Sequence, residues 1–144
     1  MQTRIFGRTK AHRIAMLRNL SRSLVLAESV TTTEPRAKEV KRIVDRWIVR
    51  AKGAQAAQGS LRLAATRQLI ALVHDPRVVS KLMSDLALRS KTRTSGFVSS
   101  RRILTRVGDA APRLVLRLID QAKSPKIVAS TKPSPPKHTS QADV

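Results

Sequence analysis

The sequence of 144 residues has no cysteine, only three aromatic residues and only nine acidic residues. Without cysteine the chain has neither disulfides nor thiolate ligands for a metal. No apolar run approaches the roughly 20 residues that cross a bilayer. The opening MQTRIFGRTK lacks the apolar segment of a secretory signal, and we interpret it as a basic arm of the mature protein. These absences argue against a disulfide-stabilised, secreted or membrane-spanning protein.

Groups that carry catalysis are missing too. The acidic residues are scattered, without a pair spaced for acid–base work, and the three histidines have no cysteine to help them bind zinc. Neither of the phosphate-binding motifs GxGxxG and GxxxxGK(S/T) occurs, and no serine lies in a nucleophile elbow. The sequence therefore predicts a protein that is not an enzyme and that has no cofactor, no metal site and no small-molecule substrate.

Positive charge is what the sequence has in excess. Its 29 lysine and arginine residues oppose nine acids, for a formal charge of +20, and they are spread from Arg4 to Lys137. A compact fold with this charge repels itself, and a polyanion is the usual compensation. Because the aromatic residues are too few for a base-stacking platform, we expect contacts with the phosphates and sugars of a folded nucleic acid.

Apolar residues recur with helical and strand periods in distinct segments. The helical period predicts four helices, over about residues 10–27, 34–52, 61–73 and 76–89. Alternation with period two predicts strands over residues 97–107 and 113–120, and the short β-branched run SVTTT predicts a strand over residues 29–33. The residues expected to face the core are Leu17, Leu20, Leu24, Ala27, Ala37, Val40, Val44, Trp47, Ile48, Ala51, Val79, Leu82, Met83 and Leu86.

The order of these elements is helix, strand, three helices and two strands. It predicts an α+β domain in which a small mixed sheet of about three strands packs against about four helices on one face. The chain is divided into a basic N-terminal arm (1–10), a globular domain (11–120) and a tail rich in proline, serine and lysine (121–144). The tail has too few large apolar residues to form a core and is expected to be disordered.

Two basic clusters receive different interpretations. The arm and the first helix hold six lysine or arginine residues and no acid over residues 1–27, so their mutual repulsion favours a bound partner. The stripe formed by Arg42, Arg46 and Arg50 has two acids nearby in the sequence. We interpret this stripe as a solvated helix face.

Three motifs in the chain, in the right order, carry a resemblance to a known family. GRTKAHRIAMLRNL resembles the GRTxxHRxAMLRNL opening of the bacterial large-subunit ribosomal protein L17 family. SVTTTEPRAKEVKR is similar to the family's IxTTxxRAKExR segment, and SGFVSSRRILTRVGDAAPRLVLRLID is similar to its GGYTRIxxxxxRxGDAAPxAxxELV ending. The likeness covers about residues 4–120, and three ordered motifs make it specific.

The resemblance implies an α+β protein of the large ribosomal subunit that binds folded ribosomal RNA and supports translation. It also implies a place near the polypeptide exit tunnel, beside other large-subunit proteins. The RNA-binding positions that it implies are Arg4, Arg8, Lys10, His12, Arg13, Arg18, Thr32, Thr33, Arg36 and Lys38. The cationic sides of the first helix and of the last two strands add Arg22, Arg101, Arg102 and Arg106.

The chain departs from the family pattern in several places. The arm before GRT is shorter, the tyrosine of GGYT is Phe97, and an acid of the last strand is replaced by Arg117. The residues after Asp120 are an addition to the short bacterial form. These departures predict a diverged member, for which the ribosome of the mitochondrial matrix is favoured over that of the bacterial cytoplasm.

Two other functions fit parts of the sequence. The helices predicted over 61–73 and 76–89 are joined by His-Asp-Pro and resemble the helix-turn-helix of a free DNA-binding module. Against this alternative, Asp85 dilutes the cations of the second helix, which has no Asn or Gln placed to read bases. A protein that binds anionic membrane surfaces needs Trp or Phe on an exposed apolar helix face, and only Trp47 qualifies.

Overall fold

The structure is a computed structural model that describes residues 4–120. The expected tail (121–144) and the first three residues of the arm lie outside this range. In chain order the elements are α1 (Lys10–Ala27), β1 (Ser29–Thr33), α2 (Glu34–Ala56), α3 (Gly59–Val73), α4 (Pro76–Lys81), a π-helical turn (Leu82–Leu86), α5 (Ala87–Arg89), β2 (Val98–Ile103) and β3 (Arg113–Leu118). The α+β class and the order of elements are confirmed.

The helix bounds agree with the sequence prediction except around one glycine. α1 and β1 have the predicted limits, but α2 continues through Gly53 to Ala56, where a connection was expected. Ala51 and Ala54 are buried on the inner face of this last stretch. Their packing offsets the low helix propensity of glycine, so only two residues connect α2 to α3.

The final helical stretch starts with a cap and contains an irregular turn. The carboxylate of Asp75 accepts a hydrogen bond from the Arg77 N–H at 3.0 Å, and Pro76 occupies the first turn, where its missing N–H has no cost. The π-helical turn that follows buries Leu82 and Leu86. The predicted helix over residues 76–89 therefore exists, with one wider turn in its middle.

The three strands form a sheet of order β1-β3-β2, in which every neighbouring pair is antiparallel. Leu116 at the centre of β3 lies opposite Val30 on one side and Ser100 on the other. The sequence prediction of a mixed sheet is corrected on this point. β1 and β2 do run in the same direction, but β3 lies between them and forms a hairpin with β2, so no parallel pair arises.

One side of the sheet faces the helices and the other faces outward. Leu114, Leu116 and Leu118 of β3 are buried on the inner side, as their alternation predicts. α2 crosses the centre of the core, where Val44 and Ile48 have no exposed surface. Helices and sheet thus share one apolar core.

The buried stripe of α1 differs in part from the prediction. Leu17 and Leu24 are buried as expected, but Leu20 is only half-buried at the edge of the core, and Ala27 is exposed. Val25 and Ser21 are fully buried instead, and the Ser21 hydroxyl donates to the Leu17 carbonyl at 2.8 Å. This bond satisfies the hydroxyl group, so serine is tolerated inside the core.

Candidate nucleic-acid interface

Every acidic side chain between residues 4 and 120 has a partner inside the fold. The carboxylates in ion pairs are Glu28 with Arg89 and Lys81, Glu34 with Lys38 and Arg102, Glu39 with Arg4 and Arg42, Asp85 with Arg89, Asp109 with Arg106, and Asp120 with Arg93. Asp45 and Asp75 accept backbone N–H groups instead. Within this part of the chain, the remaining cations therefore have no carboxylate to neutralise them.

Asp45 shows how the acids are turned inward. Its carboxylate accepts the Phe97 N–H at 3.0 Å and so joins α2 to the start of β2. Burial raises the pKa of Asp45, while the hydrogen bond from Phe97 and the charge of Lys41 act in the opposite direction. Because Asp45 points to the sheet, it does not neutralise the arginine stripe that runs along the outside of α2.

The described part of the arm is folded back onto α2. Arg4 Nη1 lies 2.6 Å from Oε1 of Glu39, a glutamate that is almost wholly buried. Phe6 packs against the core, and both Phe6 and Gly7 have left-handed backbone angles that redirect the chain toward α1. Arg8 follows this turn and reaches the Met16 sulfur at 3.2 Å. The arm thus brings positive charge to the beginning of α1.

The N-terminus of α1 concentrates positive potential. A helix leaves its first N–H groups unpaired and carries a partial positive charge at this end. Thr9 makes no side-chain capping bond here, and the first turn contains no acid. Lys10 and Arg13 lie in that turn instead, which opposes the usual preference for acids at this end. A bound anion would relieve this arrangement.

We define the arm–helix surface as the predicted RNA-binding side chains near α1 that have neither a carboxylate nor a backbone carbonyl partner among residues 4–120: Arg8, Lys10, His12, Arg13, Arg18 and Arg36. His12 and Arg36 line one side groove with Asn19 and Ser23. Asn19 is exposed and was not among the predicted site residues. Asn19 lies seven residues, or about two helical turns, after the predicted residue His12, and this spacing is the sequence signal that could have identified it.

Arg22, also expected to face RNA, has partners inside the protein. Its Nε donates to the Val73 carbonyl at 2.7 Å and its Nη2 to the His74 carbonyl at 3.0 Å. These carbonyls lie at the C-terminus of α3, where a cation is favourable. Arg22 therefore joins α1 to α3.

Several other predicted RNA-binding residues are also engaged in the fold. Arg4, Lys38, Arg102 and Arg106 each pair with a carboxylate. The pair with Arg106 holds the pKa of Asp109 well below its usual range. The side chain of Thr32 is buried on the inner face of β1, and Thr33 precedes α2 in its N-cap position. RNA contact by these six residues stays a prediction, and none belongs to the arm–helix surface.

The outer face of the sheet presents a second group of cations. Arg101 lies opposite Val115, and Arg117 lies opposite Ser99, so the two arginines are diagonal neighbours on one face. Both are exposed. The alternation of Arg117 with Leu116 and Leu118 predicts this cationic face, although Arg117 is not among the predicted RNA-binding residues. Arg102 points to the other side and reaches Glu34.

A third group of cations lies on the stripe that the sequence predicts to be an ordinary solvated face. Arg46 and Arg50 of α2 line an apolar groove together with Arg18 of α1. Only Arg42 of that stripe has a carboxylate partner within residues 4–120, Glu39 at 3.7 Å. The approach of Arg18 to Arg46 and Arg50 depends on how α1 packs on α2, so no local sequence signal reports it.

Metal-binding clusters and membrane-spanning helices are both absent from the described residues. Among residues 4–120 no three His, Asp or Glu side chains gather where they could hold a metal ion. No helix in the same range combines the length and apolarity needed to span a bilayer.

A small α+β domain with its acids paired internally and its excess cations exposed is typical of proteins that bind a polyanion. Comparison with known proteins identifies the family. The family model described as ribosomal protein L17 matches residues 16–119. The chain belongs to the ribosomal protein L17 family.

Its relatives are named large ribosomal subunit protein bL17. The relative from Syntrophotalea carbinolica is 37% identical over 124 residues, which cover 86% of this chain and 76% of the relative. The relative from Geobacter sulfurreducens is 38% identical over 133 residues, which cover 92% of this chain and 71% of the relative. That from Ligilactobacillus salivarius is 38% identical and covers 83% of this chain and all of its own length.

These relatives correct one expectation. They are bacterial proteins, so the preference for a mitochondrial matrix location is not supported. The substitutions at Phe97 and Arg117 and the added tail were the grounds for that preference. The two substitutions are departures from the family motif and carry no information about the compartment. The alignment with the Geobacter sulfurreducens relative covers 92% of this chain and so extends beyond Asp120, which removes the tail as a distinguishing feature.

Proposed function

We propose that this chain is a structural, non-catalytic constituent of the large ribosomal subunit and that it binds folded ribosomal RNA through the arm–helix surface. Membership of the ribosomal protein L17 family supports the ribosomal assignment. The observation that carries the RNA contact is the N-terminus of α1. There, unpaired amide groups and cations without carboxylate partners converge, with no acid in the first turn.

The proposed contact is with phosphates. The N–H groups of the first α1 turn point outward along the helix axis and can donate to a phosphate oxygen. Lys10 and Arg13 add charge beside them, and Arg8 does so from the folded arm. Guanidinium groups can donate two parallel hydrogen bonds to one phosphate. This arrangement recognises the path of an RNA backbone rather than its base sequence.

We further propose a place beside other large-subunit proteins near the polypeptide exit tunnel. The family resemblance supports this location. The outer face of the sheet, with Arg101 and Arg117 exposed, offers a second contact region away from α1. Cross-linking of the assembled subunit, followed by mass spectrometry of the linked peptides, tests this proposal. Links to proteins remote from the tunnel, and to none beside it, would contradict the location.

The structure disfavours the alternative of a free helix-turn-helix module. A recognition helix needs exposed cations for DNA, but Lys81 lies 3.0 Å from Glu28, and Arg89 pairs with both Glu28 and Asp85. Val78 and Val79 are buried against the core. The helix that would enter the major groove therefore has its cations paired with carboxylates and its apolar residues buried in the core, so neither is available to DNA.

Sedimentation tests the proposed function. Tagged chain is expressed in bacterial cells, and ribosomal subunits are separated on a density gradient at moderate salt. We expect the tag in the large-subunit fractions. A variant with Lys10, Arg13 and Arg18 changed to alanine should leave these fractions at lower salt. The matched control is Arg62→Ala with Arg67→Ala on the exposed side of α3. Tagged wild-type chain that stays with free protein at the top of the gradient would overturn the proposal.

A further inference from the structure

α1, α2 and α3 line a groove whose apolar floor the proposed phosphate contacts do not use. Its volume is about 190 Å³, and its apolar lining consists of Ile14, Leu17, Ile43, Trp47 and Leu72. Pockets for drug-sized ligands have volumes of roughly 300–1,000 Å³. The groove therefore accommodates one ring or one side chain and not a whole metabolite.

All charged side chains on the rim of this groove are cationic. Arg18, Arg46 and Arg50 line it, and no carboxylate does. Arg46 donates from Nε to the Arg42 carbonyl at 3.2 Å, which leaves the rest of its guanidinium group available. Asp45, the adjacent acid in the sequence, is turned toward Phe97. The side-chain polar groups of the groove are all donors, so a ligand must supply the acceptors.

We propose that this groove receives the base of one unpaired nucleotide of RNA, with the neighbouring phosphates on the three arginines. A nucleotide combines a flat ring of the right size with anionic acceptors on both sides, which matches an apolar floor with a guanidinium rim. Arg18 belongs to both the groove and the arm–helix surface, so one RNA can occupy both. The inference rests on the proposed RNA binding and adds a contact that selects unpaired over fully paired RNA.

Trp47 provides a direct reporter for this site. It is the single tryptophan of the chain, and it lies in the groove with 4% of its surface exposed. Full-length protein is titrated at low salt with two RNA hairpins that share one stem, one with a single-nucleotide bulge and one without. We expect the bulged hairpin to bind about 5-fold more tightly or better, the usual gain from accommodating one base. Only the bulged hairpin should change Trp47 emission.

A pair of matched variants ties the response to the groove. Arg46→Ala with Arg50→Ala removes two rim cations and should abolish both the preference for the bulge and the emission change. Arg62→Ala with Arg67→Ala removes two exposed cations of α3 that do not line the groove and should preserve both. Thermal melting of each variant checks that the fold is retained.

The outcomes separate this inference from the proposed function. Equal binding of both hairpins with unchanged Trp47 emission would overturn the nucleotide site and leave RNA binding in place. Binding of neither hairpin at low salt would overturn the phosphate contacts of the arm–helix surface and the nucleotide site with them, whereas the ribosomal assignment is tested separately by sedimentation. A third titration uses a peptide with one leucine between aspartates. If Trp47 emission changes with that peptide and not with the bulged RNA, the proposed nucleotide site is wrong and the groove binds an acidic protein segment instead.

Discussion

Arg89 Nη2 lies 2.7 Å from Oε1 of Glu28, although 61 residues of chain separate them. Glu28 occupies the left-handed position that ends α1, and Arg89 ends α5. The same guanidinium also donates to the Asp120 carbonyl at 2.9 Å. This one arginine therefore joins the end of the first helix, the last helix and the end of the sheet.

This pairing predicts that the protein loses stability in acid. The hydrogen bond from Arg89, with further help from Lys81, lowers the pKa of Glu28 to about 2 against the opposing effect of burial. The unfolded chain protonates this residue near its ordinary value of 4.5. The contribution of Glu28 is therefore fully present above about pH 4.5 and declines as the pH falls toward 2. Denaturant unfolding at several pH values measures this decline.

The Glu28→Gln variant is the control for that prediction. Glutamine keeps the size of the side chain and removes its charge, so the free energy of unfolding at neutral pH should fall by about 1–3 kcal/mol. The difference between wild type and variant should shrink as the pH approaches 2. A difference that stays constant over this range would show that the charge of Glu28 contributes nothing.

Arg22→Ala should lower the stability of the protein rather than weaken its RNA binding directly. The guanidinium caps α3 through the Val73 and His74 carbonyls, and loss of charge-assisted bonds of this kind costs about 1–3 kcal/mol. Arg67→Ala on the exposed side of α3 should change stability by less than about 0.5 kcal/mol. Chemical denaturation of both variants decides the question. If Arg22→Ala is as stable as Arg67→Ala, the bonds to α3 are unimportant.

A pair of substitutions on α1 separates the core from the proposed contact. Leu24 has no exposed surface, so Leu24→Ala should lower the free energy of unfolding by roughly 2–5 kcal/mol. Arg18→Ala should leave stability nearly unchanged and weaken RNA binding. Thermal melts and RNA titrations of both variants test this expectation. An early melt with normal RNA binding for Arg18→Ala would show that the roles of the two sides are reversed.

Elements with strong local patterns could be predicted from the sequence. The limits of α1 follow from apolar residues at helical spacing, β1 follows from its β-branched residues, and β3 follows from alternating leucines. The predictions that were wrong concern features that depend on contacts between residues distant in the sequence. The burial of Ser21 in place of Leu20 reflects which side of α1 meets α2, and the helix continues through Gly53 because its neighbours are buried. The antiparallel order of the sheet also follows from long-range pairing.

The sequence predicts which residue types form the candidate site, but it does not show which of these side chains are bound to partners inside the fold. An excess of cations near α1 is visible in the sequence, and Arg8 and Arg13 stay without a carboxylate partner within residues 4–120. The commitment of Arg22 to α3 is not visible, because its acceptors lie 51 and 52 residues away. Asp45 is adjacent to Arg46 in the sequence, but its hydrogen bond to Phe97 turns it inward.

The salt dependence of binding to large-subunit ribosomal RNA tests the central claim most directly. A protein that neutralises roughly six to ten phosphates should lose about three to five decades of affinity between about 50 and 200 mM salt. We predict such a slope for the full chain in filter-binding titrations. Replacement of Lys10, Arg13 and Arg18 by alanine should reduce the slope by roughly one unit for each phosphate that the variant no longer neutralises. A nearly flat salt dependence for the wild-type chain would contradict the account.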